Sequence, residues 1–332
     1  MTEKIFINGF GRIGRCAVRI LSEQKGLKLV GINDIYDIDQ AVYLLKYDSV
    51  FGEFSKRVEK IDDRSFWIGD QKVLYTQFDN IDFLSSFDDI DLLLECSGVY
   101  KKSSFFEPFV DKNIKKVLFA FVPSDNTPVY IMGVNEDSYS DEKIISNSSC
   151  TANCLAPVLK MINKYSNINR VYATTIHSYT SDQKLLDSKY DTKDIRRCRA
   201  SNINIIPVTS GVAYAVGQVL PFIKDKIKGY SIRVPVENVT MIDLSLEFKN
   251  NIDLNHFIDY LQQKIKSSTY IQISKEPLVS RDIIKSPRSA IIDLDLIALS
   301  QKNFLKMMLW QDNEWGYATR LVDMAKHILK VE

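Results

Sequence analysis

The chain has 332 residues, more than one ordinary core organises, and its 45% hydrophobic and 11% aromatic content can fill two domains. Its 43 basic and 42 acidic side chains leave a net charge of +1, which removes the electrostatic case for nucleic acid or an anionic membrane as partner. Five cysteines without paired C-x-x-C spacing and only three histidines argue against a zinc site, so no metal is expected. The first residues enter a strand pattern with no basic leader, and no apolar run reaches 18 residues. Neither export nor membrane spanning is expected, and a reducing cytoplasm is the natural compartment.

Residues 4–8 read as a buried strand, after which Gly9-Phe10-Gly11-Arg12-Ile13-Gly14 opens a helix expected over 15–23. A second strand over 27–33 ends at Asp34, which lies 20 residues beyond Gly14. Dinucleotide binding makes these demands in this order: glycines for a tight turn and close pyrophosphate approach, a helix N-terminus for phosphate charge, and a carboxylate for the ribose. The Asp34 carboxylate can accept from a 2′-OH but repels a 2′-phosphate, so NAD is favoured over NADP. A strand over 90–95 leads into Cys96-Ser97-Gly98, and further strands are expected over 116–121 and 129–133. Together these predict a Rossmann-type doubly wound parallel sheet whose loops face the cofactor.

Cys150 stands in Ser146-Asn147-Ser148-Ser149-Cys150-Thr151-Ala152-Asn153-Cys154, just before an apolar, helix-compatible run over 155–162. A thiol at a helix start meets free backbone N–H groups and the positive end of the helix, which is expected to stabilise its thiolate. Cys154, a turn farther in, is expected to be buried and unreactive. The hydroxyls of Ser148, Ser149 and Thr151 suit a wet anion pocket. Strands are expected over 171–176, 229–234, 239–248 and 304–310, with helices over 212–220, 254–266 and 316–329, the composition of an α+β domain with a mixed or antiparallel sheet. His177 ends the first of these strands, 27 residues beyond the thiol, where it fits the base of a nucleophile–base pair. His256 and His327 fall in amphipathic helices and read as surface or packing residues.

These residues resemble the phosphorylating glyceraldehyde-3-phosphate dehydrogenase family of the bacterial type. The likeness runs from Ile7-Asn8-Gly9-Phe10-Gly11-Arg12 to Trp310-Gln311-Asp312-Asn313-Glu314-Trp315-Gly316-Tyr317, and includes Ile176-His177-Ser178-Tyr179-Thr180 and Arg233-Val234-Pro235. The resemblance implies that Cys150 is the nucleophile and His177 its base. It implies a cofactor site of Gly9, Phe10, Gly11, Arg12, Ile13, Gly14, Asp34, Ser97 and Gly98. Asn313 would orient the nicotinamide amide, and Tyr317 would lie beside the ring. Inorganic phosphate would sit by Ser149, Thr151, Ser210 and Gly211, with Thr180, Asp182, Arg197 and Arg233 around the phosphates, chiefly that of glyceraldehyde 3-phosphate. An NAD domain over 1–149 and 316–332, a catalytic domain over 150–315, and a homotetramer are implied as well.

The family's pattern is broken at several places. Ala152 replaces a threonine, Ser210 keeps a hydroxyl without the methyl, Phe119-Ala120-Phe121 replaces Ser-Ala-Pro, and the loop over 187–194 is about two residues longer. Two alternatives stay open from sequence: the related erythrose-4-phosphate dehydrogenase, which hydrolyses its thioester, and a binding or moonlighting homologue with a degenerate site.

Overall fold

The computed structural model of the protein describes residues 2–192 and 194–331; Lys193, in the lengthened loop, lies outside them. Two compact units divide the chain, one of residues 1–149 with 317–332 and the other of residues 150–316.

The first unit alternates strands and helices: β1 (Glu3–Asn8), α1 (Arg12–Leu21), β2 (Leu27–Asn33), α2 (Ile38–Lys46), β3 (Val58–Asp62), β4 (Ser65–Ile68), β5 (Gln71–Thr76), β6 (Ile90–Glu95), β7 (Ile114–Phe119) and β8 (Ile144–Ser146). They form one sheet in the order β3-β4-β5-β2-β1-β6-β7-β8. From β5 to β8 every pairing is parallel. Counting only those six strands in chain order, the arrangement is 3-2-1-4-5-6, the doubly wound order of a dinucleotide-binding sheet. β6 is buried at every position, as a strand covered on both faces must be, and its sequence Ile-Asp-Leu-Leu-Leu-Glu supplies the apolar run. Phe6, Phe83, Leu93, Phe106 and Phe119 close the core around it, each buried aromatic or leucine contributing roughly 1.5–3 kcal/mol.

Two expectations need correction here, and one motif lies outside them. The helix after the glycine loop begins at Arg12, not residue 15, because Gly11 already serves as its N-cap. Residues 129–133 are not a strand; Val129 makes a single bridge to Ser146 and the chain then turns, since the three-residue β8 offers no longer ladder. The antiparallel meander β3–β4–β5 was not anticipated, its strands being four to six residues long with little alternation.

The second unit contains α3 (Cys150–Tyr165), β9 (Ile168–Ser178), β10 (Ile206–Thr209), α4 (Val212–Val219), β11 (Ile227–Val234), β12 (Thr240–Phe248), α5 (Leu254–Ile265), β13 (Ile271–Ser274), β14 (Ala290–Ser300) and β15 (Phe304–Gln311). Its sheet runs β10-β11-β9-β12-β15-β14-β13 and is mixed, with β11–β9 and β13–β14 parallel and the remaining pairs antiparallel. β12 is buried at every second residue from Thr240 to Phe248, so one face packs on a core and the other does not. The last helix, α6 (Trp315–Leu329), turns Leu321, Val322, Ala325 and Ile328 inward. Within the first unit Lys116 fixes its end by donating from Nζ to the Ile328 carbonyl at 2.9 Å.

Candidate active site

The glycine loop joins β1 to α1 and is shaped by what a side chain would collide with. Gly9 has φ +95°, and a Cβ there would run into the backbone nitrogen of Ser97; a Cβ on Gly14 would strike the Gly9 carbonyl. A Cβ on Gly11 would meet nothing within 4 Å, so the loop is open where a ligand would approach. No side chain caps α1 at Gly11, and a helix start is the kind of place where backbone N–H groups meet an anion. Phe10 is fully buried and acts through its backbone, its N–H donating to Asp34 Oδ2 and its carbonyl accepting from Arg15 Nη1 at 2.8 Å. The second Asp34 oxygen accepts from Ile35 N at 2.7 Å. The Arg12 side chain pairs with Asp48 and lies over the Phe51 ring.

Beneath this loop lies a group that sequence reading missed. Glu95 is 0% exposed at the carboxyl end of β6; it accepts from Asn8 Nδ2 at 2.6 Å, from Ser97 N at 2.8 Å and from the Ser97 hydroxyl. Burial pushes its carboxyl up to about 7, with the Ser97 and Asn8 hydrogen bonds opposing. Asn8 in turn accepts from Asn33 Nδ2 at 2.9 Å. A groove of about 220 Å³ opens above, lined by Gly9, Asp34, Ile35, Phe78, Val99 and Tyr100 among others. A larger cavity of about 760 Å³ lies at the amino ends of β2 and β5. Size does not choose between them; doubly wound sheets bind ligands at the carboxyl ends of their strands, where the glycines are.

The thiol side is assembled differently. Ser148, two residues before Cys150, has φ +60° and no exposure. That left-handed turn is held from both sides, by Ser148 N donating to Ser146 Oγ at 2.9 Å and by the Tyr317 hydroxyl donating to the Ser148 carbonyl at 2.9 Å. Cys150 then begins α3, its Sγ 4.0 Å from Thr151 Oγ1. Burial pushes the Cys150 thiol up, against the lowering by Thr151 and by the Arg233 charge. A helix start alone was expected to lower it; here burial outweighs that effect. Cys154 is fully buried, and that burial pushes its thiol up as well.

His177 and Arg233 face each other on the paired strands β9 and β11. His177 Nδ1 lies 2.8 Å from the Ser178 carbonyl and 2.6 Å from Arg233 Nη1, which itself donates to that carbonyl at 3.1 Å. One ring nitrogen cannot donate to a carbonyl and accept from a guanidinium together. The tautomer with its proton on Nδ1, directed at Ser178, frees Nε2 to take a proton, as a base requires. Burial first, then the Arg233 charge, pushes His177 down to about 3. Thiol and imidazole thus each resist charge alone, and proton transfer between them is the route by which both charges would stabilise one another. No direct hydrogen bond joins the two among the described residues.

Around them, Arg197 Nη1 pairs with Asp182 at 2.6 Å and the Thr180 hydroxyl donates to Asp182. Ser210 Oγ accepts from Val212 N at 3.2 Å at the head of α4, beside Gly211. Asn313 is brought to Ser178 and Thr240, each hydroxyl donating to its Oδ1 at 3.2 Å. Ser149 and Thr151 are partly exposed where the chain enters α3.

A glycine-lined dinucleotide cradle in a doubly wound unit, joined in sequence to a mixed-sheet unit bearing a thiol and an imidazole, defines the class: an NAD-dependent α/β oxidoreductase. Residues 3–103 match the family described as "Glyceraldehyde 3-phosphate dehydrogenase, NAD binding domain", and residues 149–313 match "Glyceraldehyde 3-phosphate dehydrogenase, C-terminal domain". The chain belongs to the glyceraldehyde-3-phosphate dehydrogenase family. It is 36% identical over 332 residues to glyceraldehyde-3-phosphate dehydrogenase 2 of Bacillus subtilis, covering 99% of this chain and 97% of that one. It is 37% identical to glyceraldehyde-3-phosphate dehydrogenase 1 of Kluyveromyces marxianus, over 98% and 99% of the two chains. A chloroplastic relative in Arabidopsis thaliana is 38% identical over 97% of this chain and 82% of its own.

Proposed function

We propose that the protein is a phosphorylating glyceraldehyde-3-phosphate dehydrogenase of glycolysis and gluconeogenesis, with Cys150 as nucleophile and His177 as base. The observation that carries this reading is the register of β9 against β11, which sets Arg233 beside His177 where its charge also reaches Cys150. His177 takes the thiol proton and the sulfur adds to the aldehyde carbon, giving a thiohemiacetal. His177, having passed that proton to the new oxygen, takes it back as the carbon gives up hydride and becomes a thioester, and NAD would supply the acceptor for that hydride. A phosphate oxygen then attacks the thioester carbonyl, the carbon–sulfur bond breaks, and the acyl phosphate leaves a thiolate on Cys150. Arg233 and Arg197 supply forked guanidinium donors suited to phosphate oxygens, and Ser149, Thr151, Thr180, Asp182, Ser210 and Gly211 complete the anion sites. Asn313 meets the nicotinamide amide. The glycine loop, Asp34, Ser97 and Gly98 hold the rest of the cofactor, as the fit of their backbone allows. The first unit is read as the NAD domain and the second as the catalytic domain.

A homotetramer is part of the proposal, supported by exposed Leu185, Leu186, Ile195, Ile203 and Ile205 on one connecting segment. Among the described residues the five cysteines form no disulfide, which fits a reducing cytoplasm. Among the described residues no helix is long and apolar enough to cross a membrane.

Steady-state NADH formation from glyceraldehyde 3-phosphate and from erythrose 4-phosphate, each with and without inorganic phosphate, tests the reading. Turnover that requires phosphate and favours the triose is expected. Phosphate-independent turnover favouring the tetrose would replace it with the hydrolytic activity.

A further inference from the structure

Asn313 is 6% exposed, and the two hydroxyls on its Oδ1 come from different strands: Ser178 from the end of β9 and Thr240 from the start of β12. Both hydroxyl residues are fully buried. With Oδ1 taken twice, the Asn313 group left to donate is Nδ2. The backbone that follows it is braced by the neighbouring carboxylate. Asp312, 1% exposed, accepts from Asn238 Nδ2 at 3.0 Å, from Glu314 N at 2.9 Å, and from Trp315 N and Lys285 N at 2.8 Å each.

Asn238 and Thr240 flank Val239, whose φ of +78° is a left-handed conformation that a β-branched residue strongly disfavours. Such a conformation persists only where its surroundings over-determine it. Here they do: Asn238 is bound to Asp312, Thr240 to Asn313, and the Val239 carbonyl accepts from Ser178 N at 3.2 Å. The strained residue therefore turns the chain so that one side chain holds the carboxylate of Asp312 while the next pins the amide of Asn313.

We propose that Ser178 and Thr240, braced by the Asp312–Asn238 pair and the turn at Val239, are positioning residues that aim Asn313 Nδ2 at the carboxamide oxygen of the nicotinamide. This rests on the reading that Asn313 meets that carboxamide. An amide free to rotate offers donor and acceptor alternately and loses entropy on binding; a pinned amide offers the donor only.

Calorimetric titration of the full chain with NAD and with ADP-ribose, which lacks the nicotinamide, separates this role from a general structural one. Thr240→Val and Ser178→Ala should each weaken NAD about three- to tenfold, the range expected for losing one hydrogen bond, and leave ADP-ribose within about twofold. Thr240→Ser, which keeps the hydroxyl, should restore NAD binding. Equal losses for both ligands, or NAD binding unchanged in both variants while Asn313→Ala weakens it, would overturn the positioning role. NAD binding unchanged in Asn313→Ala would instead overturn the assignment of Asn313 itself. The two hydroxyl variants are independent, so one that fails to fold leaves the other to decide.

Discussion

The cofactor cradle and the thiol site solve positioning by opposite means. The cradle is made of backbone: Gly9, Gly11 and Gly14 matter for what they lack, and Asp34 holds the loop through Phe10 N–H. The thiol site is made of side chains that meet through the sheet. His177 and Arg233 lie 56 residues apart and touch because β9 and β11 pair in register, and Asn313 reaches Ser178 across 135 residues. The backbone site tolerates no added atom at Gly9 or Gly14, whereas a side-chain site tolerates substitution around it but depends on each group's charge state.

Changing the side-chain site at its base should have the largest effect. His177→Asn should lower kcat about 10²–10⁴-fold and slow iodoacetamide alkylation of Cys150 at pH 7, both read in one preparation. Alkylation at the unmodified rate would show that the thiol is activated by α3 alone and that the two groups are not coupled.

Gly9→Ala probes the backbone site. The added methyl meets Ser97 N at φ +95°, so a loss of roughly 3 kcal/mol in urea unfolding and no measurable NAD binding are expected. A variant that binds NAD normally would mean the loop bends freely, and the contrast between the two regions would fail.

Glu95 sharpens the contrast because it is a charge hidden under the backbone site. Its folded carboxyl stands near 7 against an ordinary 4.5, so the folded state holds the proton more tightly than the unfolded chain. The associated stability is fully present below about pH 4.5 and is lost as pH rises through about 7, to about 3 kcal/mol. Glu95→Gln should flatten that fall in urea melts at pH 5 and pH 8. A parallel pH dependence in both proteins would place the titration elsewhere.

The smallest effect concerns the ribose. Asp34→Ala should reduce an NAD preference of more than about tenfold toward parity, measured as the ratio of kcat/KM for NAD and NADP. Equal constants in the unmodified protein would remove Asp34 from the selection.

How much was legible in sequence follows the same division. The glycine spacing, the strand up to Asp34 and the run of β6 could be read locally, because steric need writes itself into residue type. Cys150 and His177 were picked out from their flanks, yet the burial that pushes the thiol up gave no local signal, since helix position is local and burial is not. Ser148 was read as part of a wet pocket but is fully buried, and the parts played by Thr240 and Asp312 gave no signal: such residues acquire their roles only from Tyr317, Asn313 or Asn238 far along the chain or across the sheet. The apolar residues 129–133 were read as a strand because periodicity carries no information about whether a partner strand is long enough to pair with them.

The central claim is that Cys150 carries an acyl group which phosphate removes. Rapid mixing with NAD and glyceraldehyde 3-phosphate in phosphate-free buffer, followed by acid quench and peptide mass mapping, tests it most directly. The expected result is a burst of about one NADH per chain, an acyl adduct on the peptide at Cys150, and loss of that adduct when phosphate is added. Sustained NADH formation without phosphate, or an adduct on Cys154 with Cys150 unmodified, would contradict the account.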